Sequence, residues 1–310
     1  MEALEDLTLG AATVCFGEAR GKYPQGNSVF VRGGEESLVI DPSLGLIPRK
    51  AARLPPFGKK LLPADHVVNS HCHEDHVAGN HLFPDIPWHV HEADLPGLQS
   101  FEGFLAIFGY DDAEVMAGWA QAVRERFHYT ERPDAVPYRD GDVFDLGGGV
   151  RVRVIHTPGH TRGHSALLVE PDGVLYLGDI DLSSFGPYYG DAWSDLEDFE
   201  RSLARVREIE AAHYATFHHI GVVDRPTFRE RLERYAAVIR QREARLLAFL
   251  AEAPRSLDEI AEHRFVYRPS DPVPFAAPVE RRSMGLHLER LVRQDRVREE
   301  EPGKFRATAG

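Results

Sequence analysis

Short apolar stretches separated by turn residues dominate the first 91 residues and recur over 150–179. They are rich in Val, Ile and Leu and are bounded by glycine or proline, a pattern typical of β-strands. The pattern predicts two mainly β halves, with strands at ATVCF (12–16), NSVFV (27–31), SLVID (37–41), HVVNS (66–70), PWHVH (87–91), VRVRVIH (150–156), SALLV (165–169) and GVLYLGD (173–179).

Apolar residues at helical spacing predict helices between and after these halves. Residues 92–126 carry leucines and phenylalanines three or four positions apart, and another helix is expected over about 196–209. A short strand at YATFHH (214–219) and a helix over 226–250 complete the main part. Two capping boxes are expected at helix starts, Ser194 with Glu197 and Ser256 with Glu259.

The last seventy residues are interpreted as a separate unit, which gives expected domains at 1–240 and 241–310. Three helical stretches followed by two short strands around Pro302-Gly303 give the element order of a winged helix. In that fold, residues 286–292 would occupy the position of the recognition helix.

Composition narrows the class of protein. The chain has 310 residues, 43% of them hydrophobic and 27% charged, and contains no apolar stretch long enough to cross a membrane. Its start lacks the pattern of a signal peptide, and its two cysteines are too few for a disulfide framework, so a cytoplasmic location is expected. The net charge is −13; residues 241–310 carry 13 basic and 12 acidic side chains, which leaves −14 for residues 1–240. An acidic main part repels polyanions.

The stretch NSHCHEDHVAGN (69–80) concentrates titratable side chains directly after an apolar strand. His71 and His73 are two residues apart and can direct both imidazoles toward one cation, while Asp75 and His76 can face a second cation. Imidazole and carboxylate ligands suit Zn²⁺, and also Fe and Mn. Without a cation these groups would repel and desolvate one another, so the stretch predicts a metal site.

Further ligand-type residues stand where other predicted strands end. His160 follows VRVRVIH within HTPGHTRGHS, Asp179 ends VLYLGD, and His219 ends ATFHH. Residues at the carboxyl ends of strands can meet along one edge of a sheet, as a shared metal site requires.

The succession HCHEDH, PGHT, GD and a final His resembles the metallo-β-lactamase superfamily, whose first motif has the form H-x-H-x-D-H. The resemblance covers roughly residues 10–235 and implies an α/β fold, an αββα sandwich of two mainly β sheets with helices outside and a dinuclear site at its edge. By this resemblance, His71, His73 and His160 would hold one metal, Asp75, His76 and His219 the other, and Asp179 would bridge them.

His218 and His219 both qualify as the last ligand. The resemblance of GVVDRPTF (221–228) to the family's usual continuation favours His219 and leaves His218 beside the ligands or lining the pocket. His164 is a candidate for orienting a ligand. Tyr188 and Tyr189 are candidates for donating a hydrogen bond to substrate in the cleft.

The resulting hypothesis is metal-dependent hydrolysis of an ester, thioester or lactone, with two Zn²⁺ ions per chain and Asp75 and Asp179 as catalytic residues. The attacking hydroxide would lie between the metals. The substrate is expected to be a small molecule bound between the helical segment 93–126 and the loop 182–193.

Three alternatives stay open. An endoribonuclease or phosphodiesterase acting on single-stranded RNA would use two metals equally well, but the acidic main part and a C-terminal part of charge +1 disfavour nucleic acid. An iron-dependent sulfur dioxygenase would use only His71, His160 and Asp179. A non-catalytic sensor would keep the site and bind a partner through the winged helix. The preferred role of the C-terminal part is to form a homodimer or cover the cleft.

Overall fold

The computed structural model describes residues 5–51, 64–271 and 273–308. Its first sheet has seven strands that lie side by side in chain order. The first four strands are antiparallel, and the next three continue the sheet in parallel. These strands are β1 (Leu7–Leu9), β2 (Ala12–Cys15), β3 (Ser28–Arg32), β4 (Ser37–Ile40), β5 (His66–Val68), β6 (Trp88–His91) and β7 (Val136–Tyr138).

The second sheet contains six strands in the order β13-β12-β11-β10-β9-β8. Its neighbours are antiparallel except for β11 and β12, which are parallel because the chain crosses over through a helix between them. The strands are β8 (Val143–Asp145), β9 (Arg151–His156), β10 (Ser165–Glu170), β11 (Val174–Tyr176), β12 (His213–Ala215) and β13 (Val222–Asp224).

Helices of the main part cover the outer faces of both sheets, and the last two helices pack in the C-terminal part. The helices are α1 (Leu46–Ala51), α2 (Glu74–Val77), α3 (Leu95–Gln99), α4 (Phe101–Phe108), α5 (Ala113–Arg126), α6 (Leu196–Glu208), α7 (Arg225–Glu252), α8 (Leu257–His263) and α9 (Ala276–Arg293). Single turns occur at Glu18–Gly21 and Asn80–Leu82.

Alternation along the strands distributes the apolar side chains among three layers. On β3, Val29 and Val31 face the second sheet, where they share a core with Val152 and Leu167, whereas Phe30 faces the outer helices. A third layer packs the outer face of the second sheet against α6 and α7. Helix, sheet, sheet and helix layers confirm the expected αββα sandwich.

The start of α6 differs from the expected capping box. The N-cap residue is Asp195, whose carboxylate accepts a hydrogen bond from the N–H of Asp198 at 2.7 Å. Ser194 instead donates to the backbone oxygen of His160 at 2.8 Å. The Ser194–Glu197 capping box was therefore wrong, because Ser194 fastens the loop that carries His160. The Ser256–Glu259 box is confirmed at the start of α8.

The C-terminal residues build a small core of their own around Leu246, Leu250, Ile260, Met284 and Leu291. A three-stranded sheet, β14 (Arg255–Ser256), β16 (Lys304–Ala307) and β15 (Val297–Glu301), completes this part. The expected boundary between residues 240 and 241 falls inside α7, which runs without interruption from the sandwich into the C-terminal core.

The segment 286–292, expected as a recognition helix, lies within α9 and packs against the sandwich. Only Glu289 and Val292 of this segment are exposed. His287 is fully buried, and Arg290 donates to Glu200 on α6 at 2.6 Å. The segment therefore does not present a free face. No helix in the described ranges has the length and apolar character needed to span a membrane.

Candidate metal centre and substrate pocket

Loops that follow four strands meet at one edge of the sandwich. The loop after β5 carries His71, His73, Asp75 and His76, and the loop after β9 carries His160. The loops after β11 and β12 contribute Asp179 and His218. These side chains form two groups of closely spaced donor atoms, one of His71, His73, His160 and Asp179, and one of Asp75, His76 and His218.

Three imidazoles define the first cluster. The rings of His71, His73 and His160 lie 4.6 to 4.7 Å apart, centroid to centroid, and are nearly perpendicular to one another. All three are buried. Burial, reinforced by the neighbouring imidazoles, lowers the pKa of His71 well below its ordinary value, so this ring is neutral and keeps its lone pair.

The second cluster contains His218 rather than the expected His219. His218 Nε2 lies 3.0 Å from Asp75 Oδ2, and its Nδ1 donates to the backbone oxygen of Gly21 at 2.8 Å. Burial alone would lower the pKa of His218, but the nearby Asp179 and Asp75 carboxylates raise it to about 9. His219 has a left-handed φ of +59°, lies outside both groups of donor atoms and lines the adjoining pocket.

Asp179 stands between the clusters. Its Oδ1 is 2.9 Å from His76 Nε2, and its Oδ2 is 3.1 Å from His160 Nε2. The backbone N–H of Asp179 donates to Nε2 of His164 at 3.1 Å, and His164 Nδ1 lies 3.0 Å from the backbone oxygen of Thr157. Burial lowers the pKa of His164 to about 3, which keeps this ring neutral and able to accept from Asp179. His164 thus positions the main chain beneath Asp179.

Gly178 is required for this contact. Its φ is +52°, and a Cβ atom there would lie 2.6 Å from His164 Nε2. A side chain at position 178 would therefore displace the ring that holds Asp179.

Several donor atoms in the clusters lack a hydrogen-bond partner within the part of the chain that the structure describes. They are Nε2 of His71, His73 and His160 and Oδ2 of Asp75, all buried. Some of these atoms lie close to a carboxylate without forming a hydrogen bond to it. The Nε2 atom of His160, for example, lies close to Asp179 but does not meet hydrogen-bond geometry. Buried lone pairs without partners are costly unless a cation accepts them. Imidazole nitrogens and carboxylate oxygens in this arrangement fit a divalent metal ion.

Asp41 supports the second cluster and was not recognised from the sequence. Its Oδ2 lies 2.8 Å from His76 Nδ1 and accepts from the Tyr176 hydroxyl at 2.7 Å, while Oδ1 accepts from the N–H of Ser70 at 2.7 Å. Such a carboxylate fixes the orientation and tautomer of the imidazole that it contacts. The sequence did contain one signal for Asp41. This residue ends the apolar stretch SLVID, just as other ligand candidates stand at the ends of strands.

Asp94 links two of the site loops. Its carboxylate accepts hydrogen bonds from the N–H of Cys72, the hydroxyl of Thr161 and the N–H of Gly163. Asp94 is completely buried, and burial raises the pKa of its carboxyl. The Cys72 thiol is also buried beside Gly97, in keeping with a packed side chain. No pattern in the sequence singled out Asp94.

The two adjacent tyrosines point in different directions. Tyr188 lines the pocket beside the clusters, and its hydroxyl donates to Asp191 Oδ1 at 3.1 Å. Tyr189 is fully buried, and its hydroxyl pairs with His287 Nε2 at 2.9 Å. Tyr189 is therefore a core residue that joins the sandwich to α9, and its expected place in the cleft was wrong.

A pocket of about 310 Å³ opens beside both clusters. Aromatic side chains form much of its wall, including Phe108 and Trp119 from α4 and α5. The expected segment 93–126 and loop 182–193 both contribute. Asp191 of that loop has its Oδ2 3.1 Å from His73 Nε2. Tyr267, Val273 and Phe275 of the C-terminal part also line the pocket, although the sequence did not single out these individual residues.

The family model described as the metallo-beta-lactamase superfamily matches residues 22–217 of this chain. The chain therefore belongs to the metallo-beta-lactamase superfamily, and the resemblance seen in its motifs is confirmed.

Individual relatives place the chain among hydrolases. Acyl-coenzyme A thioesterase MBLAC2 of Bos taurus is 29% identical over 221 residues, which is 63% of this chain and 76% of the relative. Hydroxyacylglutathione hydrolase of Methylococcus capsulatus is 29% identical over 217 residues, 67% of this chain and 70% of the relative. A metallo-beta-lactamase family protein of Thermus thermophilus superposes with a TM-score of 0.70 at 22% identity, covering 97% of this chain and 99% of that chain.

Family membership and these relatives make the chain a hydrolytic enzyme, and its His and Asp clusters indicate a divalent metal. The expected class of enzyme is thus confirmed.

Proposed function

We propose that this enzyme hydrolyses thioesters at a centre of two divalent cations. His71, His73 and His160 would hold one ion, Asp75, His76 and His218 the other, and Asp179 would bridge them. The observation that carries the proposal is the placement of the Asp179 carboxylate, which has one oxygen 2.9 Å from His76 and the other 3.1 Å from His160. A single carboxylate facing two groups of buried donors supports a dinuclear centre over a mononuclear one.

The donor set favours zinc. Five imidazoles and two carboxylates, with no thiolate among the described ligand candidates, suit Zn²⁺, while Fe and Mn accept the same ligands. Such a pair of cations supplies a nucleophilic water at neutral pH and polarises a substrate carbonyl.

The residues of the chain hold the reacting groups in place. Asp179, positioned through His164, faces the space between the clusters, and Asp41 fixes the ring of His76. In hydrolysis, the oxygen of water bonds to the thioester carbonyl carbon and the carbon–sulfur bond breaks. The sulfur leaves with the electron pair of that bond and takes up a proton, which gives a thiol and a carboxylic acid.

Thioesters are preferred to other esters and lactones on the strength of the relatives. The bovine relative is named for acyl-coenzyme A and the Methylococcus relative for hydroxyacylglutathione, and both names describe thioester hydrolysis. RNA as substrate gains no support, because the segment expected to contact nucleic acid packs on α6 and carries the buried His287 and Arg290.

Elemental analysis combined with a substrate panel tests the proposal. Purified enzyme should contain two divalent ions per chain and hydrolyse thioesters faster than esters, lactones, phosphodiesters or single-stranded RNA. Asp179→Asn should lose both bound metal and hydrolysis. Asp65→Asn should keep both, because this carboxylate accepts hydrogen bonds from the N–H and hydroxyl of Ser37 and lies outside both groups of donor atoms.

Two outcomes would overturn this assignment. Full activity in metal-free protein would exclude the proposed centre. One iron per chain, with oxygen uptake on a persulfide and no thioester hydrolysis, would identify a sulfur dioxygenase instead.

A further inference from the structure

The walls of the pocket beside the two clusters differ in chemistry from its floor. The floor contains the ligand candidates, while Phe108, Trp119 and Phe275 form an aromatic wall above them. The Phe108 ring stacks on His73 with centroids 5.4 Å apart, and Trp119 contacts both Phe108 and Phe275 at 5.2 and 5.5 Å. An apolar group bonded to a carbonyl at the clusters would lie directly against these rings.

The charged side chains that line the pocket all belong to acids or histidines. Among the residues that the structure describes, none of those lining it is Lys or Arg, whereas Glu74, Asp181 and Asp191 add carboxyl groups beyond the two in the clusters. Away from the floor, where the proposed cations would bind, such a lining does not attract phosphate or carboxylate groups. The anionic thiol carriers of known thioesters therefore fit this pocket poorly, and the acyl group fits it well.

The C-terminal part builds one side of the pocket through residues 265–271 and 273–275. Tyr267 and Val273 line the cavity together with Phe275, and the Tyr267 ring lies 5.5 Å from Phe185 of the sandwich. Without these residues the pocket would lack the part of its wall that the C-terminal part supplies.

A buried carboxylate holds this segment in place. Glu280 on α9 has no exposed surface, and its two oxygens accept hydrogen bonds from three consecutive backbone N–H groups, those of Phe265, Val266 and Tyr267, at 2.7 to 3.1 Å. Charge-assisted bonds of this kind fix a loop more firmly than neutral ones. Glu280 thereby sets the position of Tyr267 in the pocket wall.

We propose that this pocket binds an apolar acyl group, and that the C-terminal residues Tyr267, Val273 and Phe275, with Tyr267 positioned by Glu280, determine which acyl groups are accepted. The inference rests on the proposed thioesterase function and identifies the part of the substrate that enters the pocket. It assigns Tyr267, Val273 and Phe275 to substrate specificity and makes Glu280 a positioning residue.

A series of acyl thioesters of N-acetylcysteamine tests this assignment, because the thiol is uncharged and constant. From acetyl through butanoyl and hexanoyl to octanoyl, kcat/KM should rise about threefold to fourfold per added methylene, the factor expected for burying one CH₂ group. Lactoyl thioester should be a poorer substrate than butanoyl thioester, since its hydroxyl loses hydration against the aromatic wall.

Two substitutions should move this preference in opposite directions. Phe275→Ala enlarges the pocket and should shift the preferred acyl group to a longer chain, whereas Val273→Phe fills it and should shift the preference to a shorter one. Glu280→Gln should raise KM for octanoyl thioester and leave kcat and the kinetics of acetyl thioester nearly unchanged. Phe305→Ala removes an aromatic ring on β16 that does not line the pocket, and should leave the preference as in the wild type.

Binding provides a readout that does not depend on turnover. The uncleavable S-octyl thioether of N-acetylcysteamine should change the fluorescence of Trp119 and bind more tightly than the S-ethyl thioether, and Trp119→Phe should remove the signal. Equal kcat/KM for all acyl groups, or equal affinity for the two thioethers, would overturn the pocket assignment and leave thioester hydrolysis standing. Absence of all thioester hydrolysis by metal-loaded enzyme, with tight octyl binding retained, would instead overturn the proposed function alone.

Discussion

At the scale of single residues, His218 and His219 offer a sharp test of the metal centre because they are adjacent and chemically identical. His218 Nε2 reaches Asp75 Oδ2 at 3.0 Å, whereas His219 lies outside both groups of donor atoms. His218→Ala should therefore lower bound metal from two ions per chain toward one, while His219→Ala should keep both. Elemental analysis after dialysis, with chelator competition to rank the affinities, measures the difference.

Each histidine variant serves as the control for the other, since both remove one imidazole from the same turn. Equal metal loss in the two variants would indicate a general disturbance of that turn. Loss of metal in His219→Ala alone would identify His219 as the last ligand, as the sequence favoured.

The residues that could be predicted from the sequence are those whose role is recorded in a local pattern. The group from His71 to His76 lies within six residues, and His160 and Asp179 stand near the ends of recognisable strands. Only His218 of the two adjacent histidines lies within a group of donor atoms, which residue spacing does not show. Asp94 acts through contacts with residues 22 or more positions away, so no local pattern identified it. Asp41 shares the strand-end position of other candidates, but its contact with His76, 35 positions away, is not visible in the sequence.

At the scale of elements, the start of α6 shows that a helix cap can be tied to the site. Asp195 caps the helix, and its own N–H donates to the backbone oxygen of Gly159 in the loop that carries His160. Asp195→Ala should reduce the free energy of unfolding by about 1 kcal/mol, the usual value of an N-cap, as measured by urea denaturation. Metal content should not change, because the backbone bond to Gly159 is retained.

Glu197→Gln provides the comparison for the Asp195 variant. The sequence pattern assigned Glu197 to a capping box, but its side chain pairs with Arg293 at the surface. A stability loss in Glu197→Gln as large as that in Asp195→Ala would contradict the observed cap.

Apolar patterns predicted the buried strands, including the three-residue β5, β11 and β12, and missed short strands that are partly exposed. The two central strands β9 and β10 were found because alternating or continuous apolar residues mark them. The three-residue strands β7 and β8 were missed, since each has too few residues to show a period and is partly exposed. The first predicted C-terminal helix is the end of α7, because apolar periodicity cannot show where a helix passes from one core to another.

At the scale of the whole molecule, ionic and polar contacts join the C-terminal part to the sandwich and so hold one wall of the pocket. Arg290 bridges Glu200 on α6 and Glu243 on α7, and Arg296 contacts Glu243 from beyond α9 at 2.7 Å. The buried pair of Tyr189 and His287 lies beside them. Glu243 is thus the shared acceptor of Arg290 and Arg296.

This convergence predicts how the stability of the molecule changes with pH. The interaction with His287, opposed by partial burial and strengthened by Arg290, lowers the pKa of Glu243 from its ordinary value of 4.5 to about 2. A carboxyl group whose pKa is lower in the folded protein than in the unfolded chain stabilises the folded protein. For Glu243 this stabilisation is complete above its ordinary pKa of 4.5 and disappears as pH falls toward about 2. Glu243→Gln cannot titrate, so it removes this dependence.

At pH 7 in the presence of chelator, Glu243→Gln should lower the free energy of unfolding by about 1 to 3 kcal/mol, the range between exposed and buried ion pairs. The difference from wild type should stay constant down to about pH 5 and shrink as pH falls below the ordinary carboxyl pKa, because wild-type Glu243 is protonated as the protein unfolds. Urea denaturation at several pH values measures this difference, and other titrating groups cancel between the two proteins.

Glu230→Gln, whose partner Arg234 is exposed, should show a small and nearly constant effect. A Glu243 difference that is constant down to pH 3 would show that the arginines do not depend on its charge, and would leave packing of Tyr189 and α9 as the main link between the two parts.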